Sequence, residues 1–293
     1  MTDAFVFVIA YNCGKIANKC IETYHKFHNV KIHIIGTPED FLDIPSNDNN
    51  KFINIETDEN VKHLYKSGHS GTAYVWAKVI REYSEGYDYI VQIDSDVVFI
   101  DECLSDITNK LEDGYDLVGP RRSYSIHRPM PDVVGTCFIG VNKSLISDEI
   151  NFDTLKNMCQ GQPVDRIPII DFFDPVSFHI LMNNGKIFYL DTEDYGSSNE
   201  NESYDNGFLL LNTWYDFGKK FLHFAGVGSG MNFHENGHEN VARFYAGWAL
   251  HRYSAYMNIF HNEEINVENL ITFEEAFSGA SKLDVLRKTK EAI

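Results

Sequence analysis

The chain is short of positive charge. Its 293 residues include 25 Lys and Arg against 43 Asp and Glu, a formal net charge of −18 at pH 7. Nucleic acids and anionic membranes are held through concentrated Lys and Arg, so neither is expected as the main partner. A small phosphorylated ligand stays possible if a bound metal neutralises it. Cysteine is scarce and odd in number: Cys13, Cys20, Cys103, Cys137 and Cys159, with no C-x-x-C pair. That argues against a disulfide framework or a structural zinc site and predicts buried, reduced thiols. No run reaches the ~18 apolar residues of a membrane span. The N-terminal apolar run is short and follows Asp3, so it reads as a strand and not as a signal peptide. A soluble, cytoplasmic protein with no transmembrane segment is the expectation. Internal repeats and Pro/Ser-rich linkers are missing too. One domain is expected, residues 1–239, with 240–293 as its helical C-terminal extension.

What is present is alternation. Ala4–Ala10 (AFVFVIA) is continuously apolar, as a strand buried on both faces must be. Gly14–Phe27 is amphipathic and predicts a helix. Val30–Ile35 and Lys51–Ile55 predict strands, Thr72–Tyr83 a helix with Trp76 in the core, and Tyr87–Ile93 a strong strand. Strand–helix–strand order of this kind predicts an α/β fold, a mostly parallel mixed sheet flanked by helices. The second half is less regular. Asp116–Val118, Thr136–Val141, Lys186–Leu190 and Phe221–Phe224 predict strands. Pro120–Asp132 reads as a polar loop bearing Arg121, Arg122 and Arg128, and Asp191–Asn206 as a solvated one. Pro175–Asn183 predicts a helix with Asp174 as its N-cap. His69, His234 and His238 read as surface residues.

Two places carry chemistry. Asp94-Ser95-Asp96 directly follows the strongest strand. Ligands bind at strand ends of open parallel sheets, and two carboxylates one residue apart can approach one divalent cation. The second is Phe221-Leu222-His223-Phe224, followed by alternate glycines at Gly226, Gly228 and Gly230. An imidazole can complete a carboxylate metal site, and a glycine turn lets backbone N–H groups approach an anion.

These motifs have two family echoes. The string from Asp94 to Val98 is similar to the first motif of haloacid-dehalogenase-like phosphatases, whose first Asp is a nucleophile. That family opens on this strand, whereas here a long α/β stretch precedes it. The order of motifs over residues 4–235 resembles the GT-A glycosyltransferases, which have a Rossmann-like core. There Tyr11-Asn12 matches the turn that holds base and ribose. YDYIVQIDSDVVFI matches the metal-binding strand, and Gly135–Val141 the floor beside the donor sugar. The resemblance implies a metal-dependent transferase moving a sugar from a nucleotide-diphosphate donor, by family habit a UDP-sugar, to a glycan or other hydroxyl acceptor. It implies Mn²⁺ or Mg²⁺ on Asp94, Asp96 and His223, with Ala10, Tyr11, Asn12, Asp94, Ser95, Gly226 and Gly228 lining the donor. It implies Asp174 as general base, from its spacing to Gly185, with Asp171 as the alternative. A catalytically inert nucleotide-sugar-binding relative shares these features.

Overall fold

A computed structural model describes residues 4–56, 69–122, 132–145, 173–190, 193–194, 214–216, 220–224, 226–236 and 243–265. Cys159, Asp171, Arg128 and His238 lie outside them. The elements in chain order are β1 (Ala4–Ile9), α1 (Gly14–Phe27), β2 (Ile32–Gly36), α2 (Pro38–Phe41), β3 (Asn50–Asn54), α3 (His69–Tyr83), β4 (Tyr89–Ile93), β5 (Val97–Phe99) and α4 (Leu104–Glu112). Then come β6 (Leu117–Arg122), β7 (Val133–Val134), β8 (Phe138–Asn142), α5 (Asp174–Met182), β9 (Ile187–Leu190), β10 (Glu193–Asp194), β11 (Trp214–Asp216), β12 (Phe221–Phe224), α6 (Val227–Asn236) and α7 (Arg243–His261).

The main sheet has the order β3-β2-β1-β4-β8-β6-β7, with β9 also paired to β6. β1, β2, β3 and β4 run parallel, as do β6 and β9, whereas β8 is antiparallel to β4 and β6. One face packs Val6, Val8, Ile34, Val91 and Ile93 on Ala17, Cys20, Ile21 and Tyr24 of α1 and Leu104, Ile107 and Leu111 of α4. The other packs Phe5, Phe7, Ile35, Ile53 and Ile90 on Trp76 and Val79 of α3 and Val176 and Ile180 of α5. Burial on both faces is why β1 is an apolar run with no alternation. The mixed, mostly parallel sheet flanked by helices is the architecture expected, and it is consistent with a GT-A-like Rossmann fold. No described helix is long and apolar enough to cross a membrane.

A second sheet, β10-β11-β12-β5, branches off directly after Asp96. Its β5 was not separable in the sequence, where VVFI merges with the strand before it.

Four expectations need correction. Arg121 and Arg122 belong to a strand and not to a loop, because β6 extends to pair with β7. The solvated stretch after Leu190 contains a strand, β10. The residue at the N-cap of α5 is Phe173, which makes Asp174 the first helical residue. The glycines after His223 do not all lie in a turn: Gly226, at φ 85°, is a turn residue immediately before α6, and Gly228 and Gly230 lie within the helix.

His28 locks two helices together. It is buried, its Nδ1–H donates to the Tyr24 carbonyl of α1 at 3.0 Å, and its Nε2 accepts from the N–H of Cys103 and Leu104 at the start of α4 at 3.1 and 3.3 Å. Two donors on Nε2 require the neutral imidazole, which makes the 3.9 Å approach of Glu102 no ion pair at neutral pH. Burial lowers the His28 pKa, against the Tyr24 carbonyl, Glu102 and Asp101, which raise it; nearby His25 adds to the lowering. A pKa lowered on folding means that the unfolded chain takes up the proton first. The contribution is therefore complete above the unfolded value of about 6.5 and is lost as pH falls below it.

Urea unfolding should accordingly show stability falling from pH 7.5 to pH 5.5. His28→Leu should cost about 1–3 kcal/mol at pH 7.5, by orphaning two buried N–H groups, and should flatten that pH dependence. Equal slopes for both proteins would contradict the assignment. In α6, a β-carbon at Gly230 would lie 2.1 Å from the Ala249 carbonyl oxygen of α7. The contact is with backbone, which cannot swing away, so Gly230→Ala should destabilise by about 1–3 kcal/mol in the same assay.

Candidate metal centre

The strand order places the site. The chain moves from β1 outward through β2 and β3, then returns to lay β4 on the other side of β1. Ligands bind outside the carboxyl ends of strands at such a reversal. The residues there are Ala10-Tyr11-Asn12 after β1 and Asp94-Ser95-Asp96 after β4.

Asp94 is held as an extension of the β4–β8 ladder, its N–H donating to the Cys137 carbonyl at 2.8 Å. The chain then turns, with the Val97 N–H bonded to the Asp94 carbonyl at 3.2 Å, and enters β5. β5 pairs antiparallel with β12, which sets His223 opposite Val97. The Phe224 N–H donates to the Asp96 carbonyl at 3.0 Å and fixes that register next to the acid. His223 Nε2 comes to lie 3.2 Å from Asp96 Oδ1 and 3.7 Å from Asp94 Oδ2. One ligand atom from each residue lies within 4.8 Å of the others.

This donor set fits a divalent cation. Ligand atoms about 2.1 Å from an octahedral ion stand about 3 Å apart when at right angles. Two carboxylates and an imidazole also match the mixed O/N preference of first-row divalent ions. Asp96 and His223 are nearly buried, at 10% and 12% side-chain exposure, while Asp94, at 28%, is the most exposed of the three. Burial opposes charge on His223, but Cys137 and Asp96 beside it outweigh burial and raise its pKa well above the usual value. Proton and metal therefore compete for Nε2.

Thiols pack behind the acids. Cys13 Sγ donates to Ser95 Oγ at 3.3 Å, and Cys20 Sγ to the Asp94 carbonyl at 3.6 Å. Burial pushes the Cys13 thiol up to about 12, so it stays protonated and inert. The four described cysteines are all buried and free, as expected.

The two helix starts at this edge differ. At α1 the Asp40 carboxylate accepts from Thr37 N–H and Oγ1, both at 2.9 Å, and from the backbone of Asn12 and Cys13. Burial raises the Asp40 pKa against those bonds. The start of α1 is thus already filled by an anion of the chain's own. Asn12 takes a left-handed turn, φ 55°, and Tyr11 beside it is partly buried. At α6, Gly228 abuts the acidic turn: a β-carbon there would lie 3.6 Å from Ser95 Oγ and 4.0 Å from Cys13 Cβ.

The structure thus brings Ala10, Tyr11, Asn12, Asp94, Ser95, Asp96, His223 and Gly228 to one edge. Asp174 is fully buried at the start of α5 and is not a member of the metal-ligand cluster. Arg121, about half exposed, pairs with Asp132 at 3.6 Å and lies over the Tyr189 ring. Trp76 is core and His234 is exposed, both as expected. Asp40, Gln92 and Thr136 were missed. A signal existed for Asp40, since Thr37-Pro38-Glu39-Asp40 has capping-box spacing.

No protein-family profile matches the chain, and no curated protein matches it either. Among solved structures it is similar to a glycosyltransferase involved in the glycosylation of the major capsid of PBCV-1. The TM-score is 0.39 at 11% identity, over 64% of this chain and 81% of that one. At that level the likeness carries no argument of its own, and the functional reading rests on the site.

Proposed function

We propose that the protein is a metal-dependent glycosyltransferase acting from a nucleotide-diphosphate sugar, with residues 1–239 as the catalytic domain and 240–293 as its extension. The observation that carries this reading is the Asp94–Asp96–His223 cluster at the β1/β4 reversal. A bound Mn²⁺ or Mg²⁺ would neutralise the diphosphate as it leaves.

The rest falls to the chain itself. With the start of α1 filled by Asp40, this reading gives the diphosphate to the N-terminal amides of α6, where Gly228 abuts Ser95. Tyr11 and Asn12 border the space for base and ribose, and the family resemblance makes UDP the first candidate. In the inverting form of the reaction, Asp174 takes the proton of the acceptor hydroxyl as its oxygen bonds to the anomeric carbon. The bond from that carbon to the phosphate oxygen breaks, and the nucleoside diphosphate leaves. Asp171 is the alternative base, and in a retaining reaction the donor's own phosphate oxygen takes the proton. The phosphatase reading is weaker. Its nucleophilic Asp sits on the family's opening strand, whereas Asp94 follows the fourth strand of this chain and shares its edge with an imidazole.

Calorimetry of UDP with Mn²⁺ tests the site. Asp96→Ala and His223→Ala should each weaken Mn²⁺-dependent binding at least tenfold, about 1.4 kcal/mol, with the fold kept. Unchanged affinity in both variants would remove the assignment. Asp174→Asn tests the base. Turnover, read as donor hydrolysis if no acceptor is known, should fall by about 10²–10⁴ with donor affinity nearly unchanged. A rate within about threefold of wild type would take Asp174 out of the mechanism and favour Asp171 or a retaining reaction.

A further inference from the structure

Gln92 is out of keeping with its surroundings. It lies in the middle of the main sheet, 2% exposed, level with Phe7 of β1 and Ile139 of β8, and both of those residues are fully buried. On that face the sheet packs against the apolar residues of α3 and α5. A carboxamide there must be satisfied or it is costly. Gln92 is satisfied on one side only. Its Nε2 donates to Asp94 Oδ1 at 3.1 Å, while its Oε1 is buried with no partner among the described residues. An apolar side chain of the same volume would fit this position better. Stability therefore does not account for Gln92, and its one bond goes to a carboxylate of the metal cluster.

The geometry at Asp94 shows what that bond does. Oδ1 is taken by Gln92, and Oδ2 receives Thr136 Oγ1 at 3.4 Å while facing His223 Nε2 at 3.7 Å. Asp94 is the most exposed of the three acidic and imidazole groups, at 28% against 10% and 12%. We propose that Gln92 is a positioning residue for the metal centre, holding Asp94 by Oδ1 so that Oδ2 points at the cation shared with Asp96 and His223. It touches neither substrate nor metal. Outer partners of this kind govern ligand orientation, and their loss typically weakens metal binding about 10–100-fold. The inference rests on the metal site proposed above.

The test measures cation affinity and stability separately. Mn²⁺ is titrated into the wild type, Gln92→Met and Gln92→Leu, with free ion followed by electron paramagnetic resonance and with no nucleotide present. Thermal unfolding is measured on the metal-free proteins. Both variants should bind Mn²⁺ about 10–100-fold more weakly. Metal-free Gln92→Met should unfold no lower than wild type, because it loses an unsatisfied buried carbonyl and keeps its volume. In an Asp94→Ala background, Gln92→Met should have no further effect on Mn²⁺ affinity, because the residue acts through Asp94. Wild-type affinity in both variants, or a fall in melting temperature with affinity unchanged, would overturn the proposal. Failure of the wild type itself to bind Mn²⁺ would be a different result, and would remove the metal site and this inference together.

Discussion

The ladder that pairs Phe221 with Phe99, Leu222 with Val98 and His223 with Val97 makes one site out of two distant pieces of chain. Five of its six residues, all but His223, are buried and apolar, each worth about 1.5–3 kcal/mol when removed from water. Phe99 and Phe221 both meet Phe138 of β8 edge-on, at 5.6 and 5.3 Å between ring centres. The short second sheet is thereby anchored to the main one at the strand that neighbours β4. A one-residue slip of β12 would turn His223 to the opposite face and dissolve the cluster. The site geometry is thus set by hydrophobic packing behind it, not by the attraction of its charged groups.

Charge placement follows from the same frame. A chain at −18 that is to hold a diphosphate must supply positive potential locally. The start of α1, the usual anion site of a Rossmann-like unit, is closed by Asp40, which uses the amides to shape the Tyr11–Cys13 turn. What remains for the proposed donor is the candidate cation site and the start of α6. Both lie within reach of Ser95, and both depend on the β12–β5 register. The protonated thiols of the interior complete the back wall without adding charge.

Much of this was legible in the sequence because the signals are local. The apolar run of β1, the amphipathic span of α1 and the four residues of β12 appear in the structure with those bounds or within a residue of them. Asp94, Asp96 and His223 stood out because acids and an imidazole terminate otherwise apolar strands. The parts that were not legible are those that depend on tertiary partners. β5 is only three residues long and exists because β12 pairs with it. The glycines after His223 read as a turn because glycine disfavours helix. Gly228 and Gly230 nevertheless lie in α6, and at Gly230 the close approach of α7 admits no side chain. Asp174 moved from cap to first helical turn, a one-residue shift that periodicity does not resolve. Gln92 carried a signal, a polar residue inside YDYIVQI, whose meaning needed the position of Asp94.

The central claim is that one divalent cation binds Asp94, Asp96 and His223 together. Anomalous diffraction at the manganese edge, from crystals grown with Mn²⁺ and UDP, tests it most directly. The account predicts a single strong peak about 2.1 Å from a carboxylate oxygen of each aspartate or its bridging water and from His223 Nε2, with diphosphate oxygens on its open side toward α6. A nucleotide bound at this edge with no anomalous peak between the three side chains, or a peak that leaves His223 uncoordinated, would contradict it.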